Sequence, residues 1–186
     1  NLRDNPIHES IAQIALSGKS LTITGKIRTP ELTGQGAYAK AWYRQDGKLY
    51  LFKAGTTGGN EVDREVAASR VLDCTNVPHL QYSKTKKDGK VCSVCQNLCN
   101  SDLAIMNADS VAGWCERNEE SFRALAKSIN ANLYYQTMVV DYLIGNRDRH
   151  SGNWGFYMDN QTGRLVDIHP LFDHNNAFDK EYLRDR

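Results

Sequence analysis

An excess of charge of either sign is missing from this sequence. Its 23 Lys and Arg stand against 22 Asp and Glu, leaving a formal net charge of +1. No basic surplus points to direct nucleic-acid binding, and no acidic surplus points to a disordered, solvating chain. Proline is scarce, with 4 in 186 residues, which excludes a stiff Pro-rich linker. No apolar run approaches the ~20 residues needed to span a bilayer. Internal repeats and low-complexity tracts are absent as well. A hydrophobic content of 40% suits one globular unit, or two lobes sharing a cleft.

Cysteine is present in odd number: Cys74, Cys92, Cys95, Cys99 and Cys115. The start of the sequence carries no leader-peptide pattern. Together these lead to the expectation of reduced thiols in the cytoplasm. Cys92, Cys95 and Cys99 have a spacing that invites zinc, with Cys74, Cys115 or a His as a fourth ligand. A second C-x-x-C is lacking, however, and KVCSVCQNL alternates as a β-strand does, with Cys as a small buried hydrophobe. The strand reading is the expectation.

What is there is concentrated between Gly145 and Asp173. The segment GNRDRHSGN contains Asp148, His150 and Asn153 in a D-x-H-x-x-N arrangement. It follows an apolar helical stretch, LYYQTMVVDYLI, that stops at Gly145. The strand-like run WGFYM comes next, then a turn at Asp159–Gly163 and a second apolar run, LVDIHPLF, ending at Asp173. Asp and Asn also cap helices and close turns, which is the ordinary account of each residue singly. Helix, polar loop, hairpin and acidic loop in that order suggest phosphoryl transfer from a Mg-nucleotide. One carboxylate faces an acceptor hydroxyl, while an amide and a second carboxylate hold metal against the phosphates. Such chemistry depends mainly on positioned charge. Leu133, Met138, Val139, Tyr142 and Leu143 are expected to seat the preceding helix on a core.

Upstream, IHESIAQIAL reads as a short amphipathic helix, with Ile7, Ile11, Ile14 and Ala15 on one face and Gly18 at its end. SLTITG alternates like a strand. In the turn-rich piece that follows, Gly34-Gln35-Gly36-Ala37 could bring bare backbone N–H groups to an anion. AKAWYRQ and KLYLFKAG flank Asp46-Gly47, a strong hairpin signal. Lys53 lies on the second of these strands, where its charge is costly without a partner. Phosphates or a helix carboxylate would serve, the alternative being a Lys reaching solvent at a strand end. EVDREVAASRVLDC predicts a helix with Val62, Val66, Ser69, Val71 and Leu72 as its apolar stripe. Glu61 and Glu65 are one turn apart on it. Glu65, deeper in the helix, is the better partner for Lys53, and Glu61 is expected on a solvated face. HLQYSKTKKDGKVCSVCQNL predicts a second hairpin around Asp88-Gly89. The stretch from Ser101 to Gly145 reads as mainly helical, with an ambiguous beginning. His79 and His169 have no evident partner.

Taken in order, the Gly loop Thr33–Ala37, Phe52-Lys53, Glu65-x-x-x-Ser69, NRDRHSGN (Asn146–Asn153) and LFDHNNAF (Leu171–Phe178) resemble the HipA-like serine/threonine kinases of bacteria, including the smaller CtkA-like members. The resemblance runs from about Thr33 to Phe178. It implies an α+β, two-lobed protein-kinase-like fold. Residues 1–97 would form a mostly β N-terminal lobe carrying the phosphate loop, the Lys strand and the Glu helix. Residues 98–186 would form a short helical C-terminal lobe carrying the catalytic and metal-binding loops. It further implies ATP and Mg²⁺ as cofactors and a protein substrate with a Ser or Thr acceptor. Asp148 would orient the acceptor hydroxyl, and His150 would support the loop near the transferring phosphate. Asn153 and Asp173 would bind Mg²⁺. Lys53 would contact phosphates and pair with Glu65, while Gly34, Gly36 and Ala37 would cradle the nucleotide. Kinases of this kind can autophosphorylate a Ser in the loop, and Thr33 occupies the comparable place.

The wording Asp148-Arg149-His150 also matches phosphatidylinositol kinases, so a lipid or small-molecule acceptor is the alternative, although no basic membrane-facing helix accompanies it. A third reading is a non-catalytic regulator partnered with an antitoxin-type protein, as in toxin–antitoxin control of transcription. Direct nucleic-acid binding and membrane insertion are not expected. The expected location is the bacterial cytoplasm, with translocation into a host left open. The sequence lacks an initiator Met and continues only from His174 to Arg186 beyond Asp173. It therefore reads as a fragment or as a kinase with an unusually small helical lobe.

Overall fold

The computed structural model describes residues 9–19 and 38–178. The expected strand SLTITG and the Gly loop Thr33–Ala37 lie outside the described residues, as does Ile7. The order of elements is α1 (Glu9–Ser17), β1 (Lys40–Gln45), β2 (Lys48–Ala54), α2 (Glu61–Leu72), β3 (Ser83–Lys87), β4 (Lys90–Gln96), β5 (Leu103–Asn107), α3 (Ala108–Arg117), α4 (Phe122–Ile144), a 3₁₀ turn (Ser151–Asn153), β6 (Gly155–Asp159) and β7 (Leu165–Ile168). They fall into two compact units. One comprises Asn1–Val66 with Gln81–Leu98, the other Ala67–Leu80 with Cys99–Arg186, so α2 contributes its first half to one and its second half to the other.

The first unit is built on an antiparallel sheet of order β1-β2-β4-β3. Both tight turns are Asp-Gly pairs with positive φ at both residues: Asp46 at 48° and Gly47 at 73°, Asp88 at 48° and Gly89 at 78°. That is the geometry that matches the right-handed twist of paired strands. One sheet face packs with α1 into a core of Ala12, Leu16, Ala41, Tyr43, Phe52, Ala54 and Cys92. Tyr43 meets Phe52 edge-on at 5.0 Å. The α1 face that is fully buried is Ala12 and Leu16, while Ile11, Ile14 and Ala15 are only half-buried. On α2, Val62, Val66, Ser69 and Leu72 are buried as the stripe predicts, but Val71 is exposed. Cys92 and Cys95 are buried on β4. Among the described residues, no group of three or more His, Cys, Asp or Glu is placed to hold a metal ion.

The second unit has an antiparallel sheet of order β5-β6-β7, with α3 and α4 packed against it. Its larger core gathers Val111, Cys115, Leu133, Tyr134, Trp154, Phe156 and Ile168, among others. The strand β5 corrects the mainly helical reading of its stretch. Leu103–Asn107 pairs with Gly155–Asp159, and this long-range pairing overrides an ambiguous local pattern. Gly155 makes the pairing possible, because a Cβ there would lie 2.5 Å from the carbonyl oxygen of Met106.

The helix α4 is two segments joined at Asn130, whose backbone is extended (φ −156°, ψ 88°). The Asn130 side chain accepts from Leu133 N at 2.9 Å, an N-cap inside the helix, and donates to Asp167 of β7 at 2.8 Å. The buried face of α4 is Ala126, Leu133, Tyr134, Thr137, Val140, Asp141 and Ile144. Met138, Val139, Tyr142 and Leu143, expected in the core, are instead about half exposed. Apolar residues occur all around this helix, so its periodicity does not select a face. Among the described residues no helix is long and apolar enough to cross a membrane.

Candidate functional site

In the first unit, Lys53 emerges from β2 beside Ser93 of β4, its partner in register. Its ammonium lies 2.8 Å from Glu65 Oε1, and both residues are buried. Ser93 donates to Glu65 Oε2 at 2.5 Å. Glu65 therefore has both carboxylate oxygens engaged, as a charge at 1% exposure requires. Glu61 closes the Gly-rich link before α2 instead. It accepts from the Thr56 hydroxyl at 2.6 Å and from the Thr56 backbone N–H at 3.4 Å.

In the second unit, the polar loop is set by the end of α4. Gly145 adopts φ 62°, ψ 36°, the left-handed cap that stops a helix. Asn146 N–H then donates to the Asp141 carbonyl at 2.8 Å, and its side-chain amide donates to Asp141 Oδ1 at 2.9 Å. Asp148 follows. Its Oδ2 accepts from Asn176 Nδ2 at 2.9 Å and from Asn153 Nδ2 at 3.4 Å. Asn153 Nδ2 also donates to the Asp148 carbonyl at 2.8 Å. Only an NH₂ group can donate to these oxygens, which fixes the amide's orientation. Among the described residues no hydrogen bond reaches Asp148 Oδ1 or Asn153 Oδ1. His150 is exposed and caps the 3₁₀ turn, accepting from Gly152 N–H at 3.1 Å through Nδ1. Asp173, half-buried, holds φ 60°, a left-handed conformation that Asp tolerates better than most side chains.

Arg149 joins these pieces. Its guanidinium takes Asp141 through Nε to Oδ2 at 3.0 Å and Nη2 to Oδ1 at 3.0 Å. Nη1 donates to the carbonyls of Asn153 and Phe172, each at 2.5 Å, and Nη2 lies 3.0 Å from His174 Nδ1. A guanidinium cannot accept, so His174 Nδ1 is the unprotonated nitrogen. One cation thereby binds the end of α4, the loop holding Asn153, and the segment leading to Asp173. At the other side of that segment, Phe178 N–H donates to the Ile144 carbonyl at 2.7 Å.

Four of these residues carried no assigned role in the sequence: Ser93, Asp141, Asn176 and, as an organising group, Arg149. Asp141 had a usable signal. A carboxylate in the last turn of an apolar helix opposes the helix dipole and implies a nearby cation. Ser93 and Asn176 are brought in by strand register and by a long loop, and no local pattern marks them.

The residue types expected at a metal, the Asn153 amide and the Asp173 carboxylate, are of the kind magnesium takes. A carboxylate and an amide oxygen are hard ligands, and Mg²⁺ commonly takes few protein ligands while keeping waters and phosphate oxygens. Asn153 has its nitrogen tied back to Asp148, which leaves the oxygen as the available ligand atom.

The mixed α+β architecture, with a β-rich first unit and helices concentrated in the second, is a kinase-like fold. It matches the crystal structure of the Helicobacter pylori proinflammatory kinase CtkA with a TM-score of 0.64. The match covers 76% of this chain and 56% of that one, at 20% sequence identity, so the likeness establishes the fold. No family model and no curated protein sequence matches the chain.

Proposed function

We propose that this chain is an ATP- and Mg²⁺-dependent phosphotransferase acting on Ser or Thr of a protein substrate, with HipA-like kinases as its relatives. The observation that carries the reading is the Asp148–Asn153 pair. The carboxylate is held at one oxygen by two amides, and the amide oxygen is left for a cation, within a kinase-like fold. The buried Lys53–Glu65 ion pair gives independent support, since a buried ammonium on a β-strand is costly without a function.

In this reading Asp148 orients the acceptor hydroxyl and receives its proton at Oδ1. Asn153 and Asp173 would hold Mg²⁺, which when bound neutralises charge on the transferring phosphoryl group. Lys53, held by Glu65, would contact nucleotide phosphates. Gly34, Gly36 and Ala37 are assigned to the nucleotide from the sequence, by their bare backbone N–H groups and by the resemblance. His150 shapes the loop through its cap on Gly152. Arg149 is a positioning residue, engaged with protein groups on every edge. A proteinaceous regulator as partner remains part of the resemblance and is not needed for the chemistry.

The test is transfer of label from radiolabelled ATP with Mg²⁺ to the chain itself or to a generic protein acceptor, followed by identification of the phosphorylated residue. Label on Ser or Thr that disappears in Asp148→Ala and Asp173→Ala is the expected result. Nucleotide binding without transfer to protein, or transfer to phosphoinositides alone, would overturn the proposed acceptor class. Absence of nucleotide binding would overturn the whole reading.

A further inference from the structure

A concavity lies within the second unit, between α3, the first segment of α4 and the β5-β6-β7 sheet. Its volume is about 690 Å³, inside the range typical of small-molecule sites. Val111, Trp114, Leu125, Ile129, Met158 and Leu165 make its walls apolar. Two cations also line it, Arg117 at the end of α3 and Arg164 in the β6–β7 turn. Among the described residues, neither guanidinium makes an ion pair or a side-chain hydrogen bond. Arg117 folds back along its own helix, where Gly113 leaves room. A Cβ on Gly113 would sit 3.4 Å from Arg117 Nη1. Trp114, 45% exposed, presents a large ring in a cavity that none of the described residues fills.

We propose that this cavity binds a small amphipath with an apolar body and a single carboxylate head. The apolar walls supply the gain from burial. The two arginines supply the complementary charge, and a carboxylate matches the planar fork of a guanidinium. Neutral apolar molecules would leave both cations unused. A phosphate head would engage the same guanidinium forks, so tighter binding of dodecyl phosphate than of dodecanoate would overturn the carboxylate assignment. The proposal stands apart from phosphoryl transfer, and its test reads binding only.

Dodecanoate is the probe, titrated below its micelle concentration into the full chain and followed by calorimetry and tryptophan emission. One dodecanoate per chain is expected, with an emission change that is lost in Trp114→Phe. Methyl dodecanoate, the same body without charge, should bind at least roughly tenfold more weakly. The Arg117→Gln/Arg164→Gln variant should lose a similar factor for the acid and little for the ester. Lack of saturable binding, equal affinity for acid and ester, or an unchanged affinity in the double variant would each overturn the proposal. The acid–ester comparison needs no substitution, so it decides the matter even if the double variant fails to fold.

Discussion

Arg149 and Asp141 meet through two parallel contacts of 3.0 Å, and the pair sits beneath the loop that carries Asp148 and Asn153. Both side chains are 11% exposed. The guanidinium also holds the carbonyls of Asn153 and Phe172, so the residues proposed to bind metal are fixed through a single cation. Removing it has two separable consequences. Asp141 becomes a nearly buried carboxylate supported only by Asn146, and the two loops lose their common anchor.

Arg149→Ala is therefore expected to cost about 3–5 kcal/mol of folding stability, the range for breaking a buried pair from one side. Chemical denaturation measures it directly. Arg149→Lys keeps the charge but cannot reproduce the fork. It should recover part of the stability while leaving phosphoryl transfer well below the parent rate. Equal rates for Arg149→Lys and the parent would contradict a positioning role.

The Lys53–Glu65 pair yields a double-mutant cycle. Lys53→Met leaves the Glu65 carboxylate buried with the Ser93 hydroxyl on its Oε2 and no cation on its Oε1, so a loss of about 3–5 kcal/mol is expected. Lys53→Met/Glu65→Leu removes both charges and should regain most of that loss. Nucleotide affinity should fall in both variants, because each removes the proposed phosphate contact of Lys53. Fluorescent-nucleotide titration alongside urea denaturation separates the two effects. Recovered stability together with recovered nucleotide binding would exclude Lys53 from the phosphate site.

Much of this architecture is legible locally, and the exceptions share a cause. Asp46-Gly47, Asp88-Gly89 and Gly145 mark turns and a helix end because only a few residues tolerate left-handed backbone. The helix bearing Glu65 and the strand bearing Lys53 follow from periodicity. Leu103–Asn107 does not, since its identity as a strand is decided by Gly155–Asp159 far along the chain. The α4 face is misjudged for a related reason. Tyr142 and Leu143 look like core, yet Thr137 and Asp141 are buried: Thr137 satisfies its hydroxyl on the Leu133 carbonyl of its own helix, and Asp141 is held by Asn146 and Arg149 of the loop beyond it. At the site, Asp148, Asn153 and Asp173 stand out through their types and spacing. Asn176 and Arg149 acquire meaning only when the chain folds back on itself.

Asn176 gives a prediction that sequence motifs alone do not. It holds Asp148 Oδ2 at 2.9 Å. Asn176→Ala should leave the fold and nucleotide affinity nearly unchanged while lowering kcat by roughly tenfold, as the loss of one aligned hydrogen bond to a carboxylate implies. Asp148→Asn should lower kcat by about 10²–10⁴-fold, the usual contribution of a positioned acid–base group. Steady-state kinetics with KM and kcat resolved distinguishes them. A change confined to KM in Asn176→Ala would show that it acts on substrate binding and not through Asp148.

His169 supplies the pH dependence. The ring is buried between Tyr157 and Phe172, with centroids 4.8 and 5.4 Å away. Burial pushes its pKa down from the ordinary 6.5 to about 4, against the opposing effect of the Pro170 carbonyl on Nδ1. The unfolded chain thus takes up this proton at a higher pH than the folded one. The stability associated with neutral His169 is complete above about pH 6.5 and drains away as pH falls toward about 4, amounting to about 3 kcal/mol at the low end. His169→Gln has no such proton to bind. Its own destabilisation is independent of pH, so the difference in unfolding free energy between parent and variant, followed by urea titration from pH 7.5 to 4, should slope only inside that window. A flat difference would mean that the imidazole is hydrated or already charged in the folded protein.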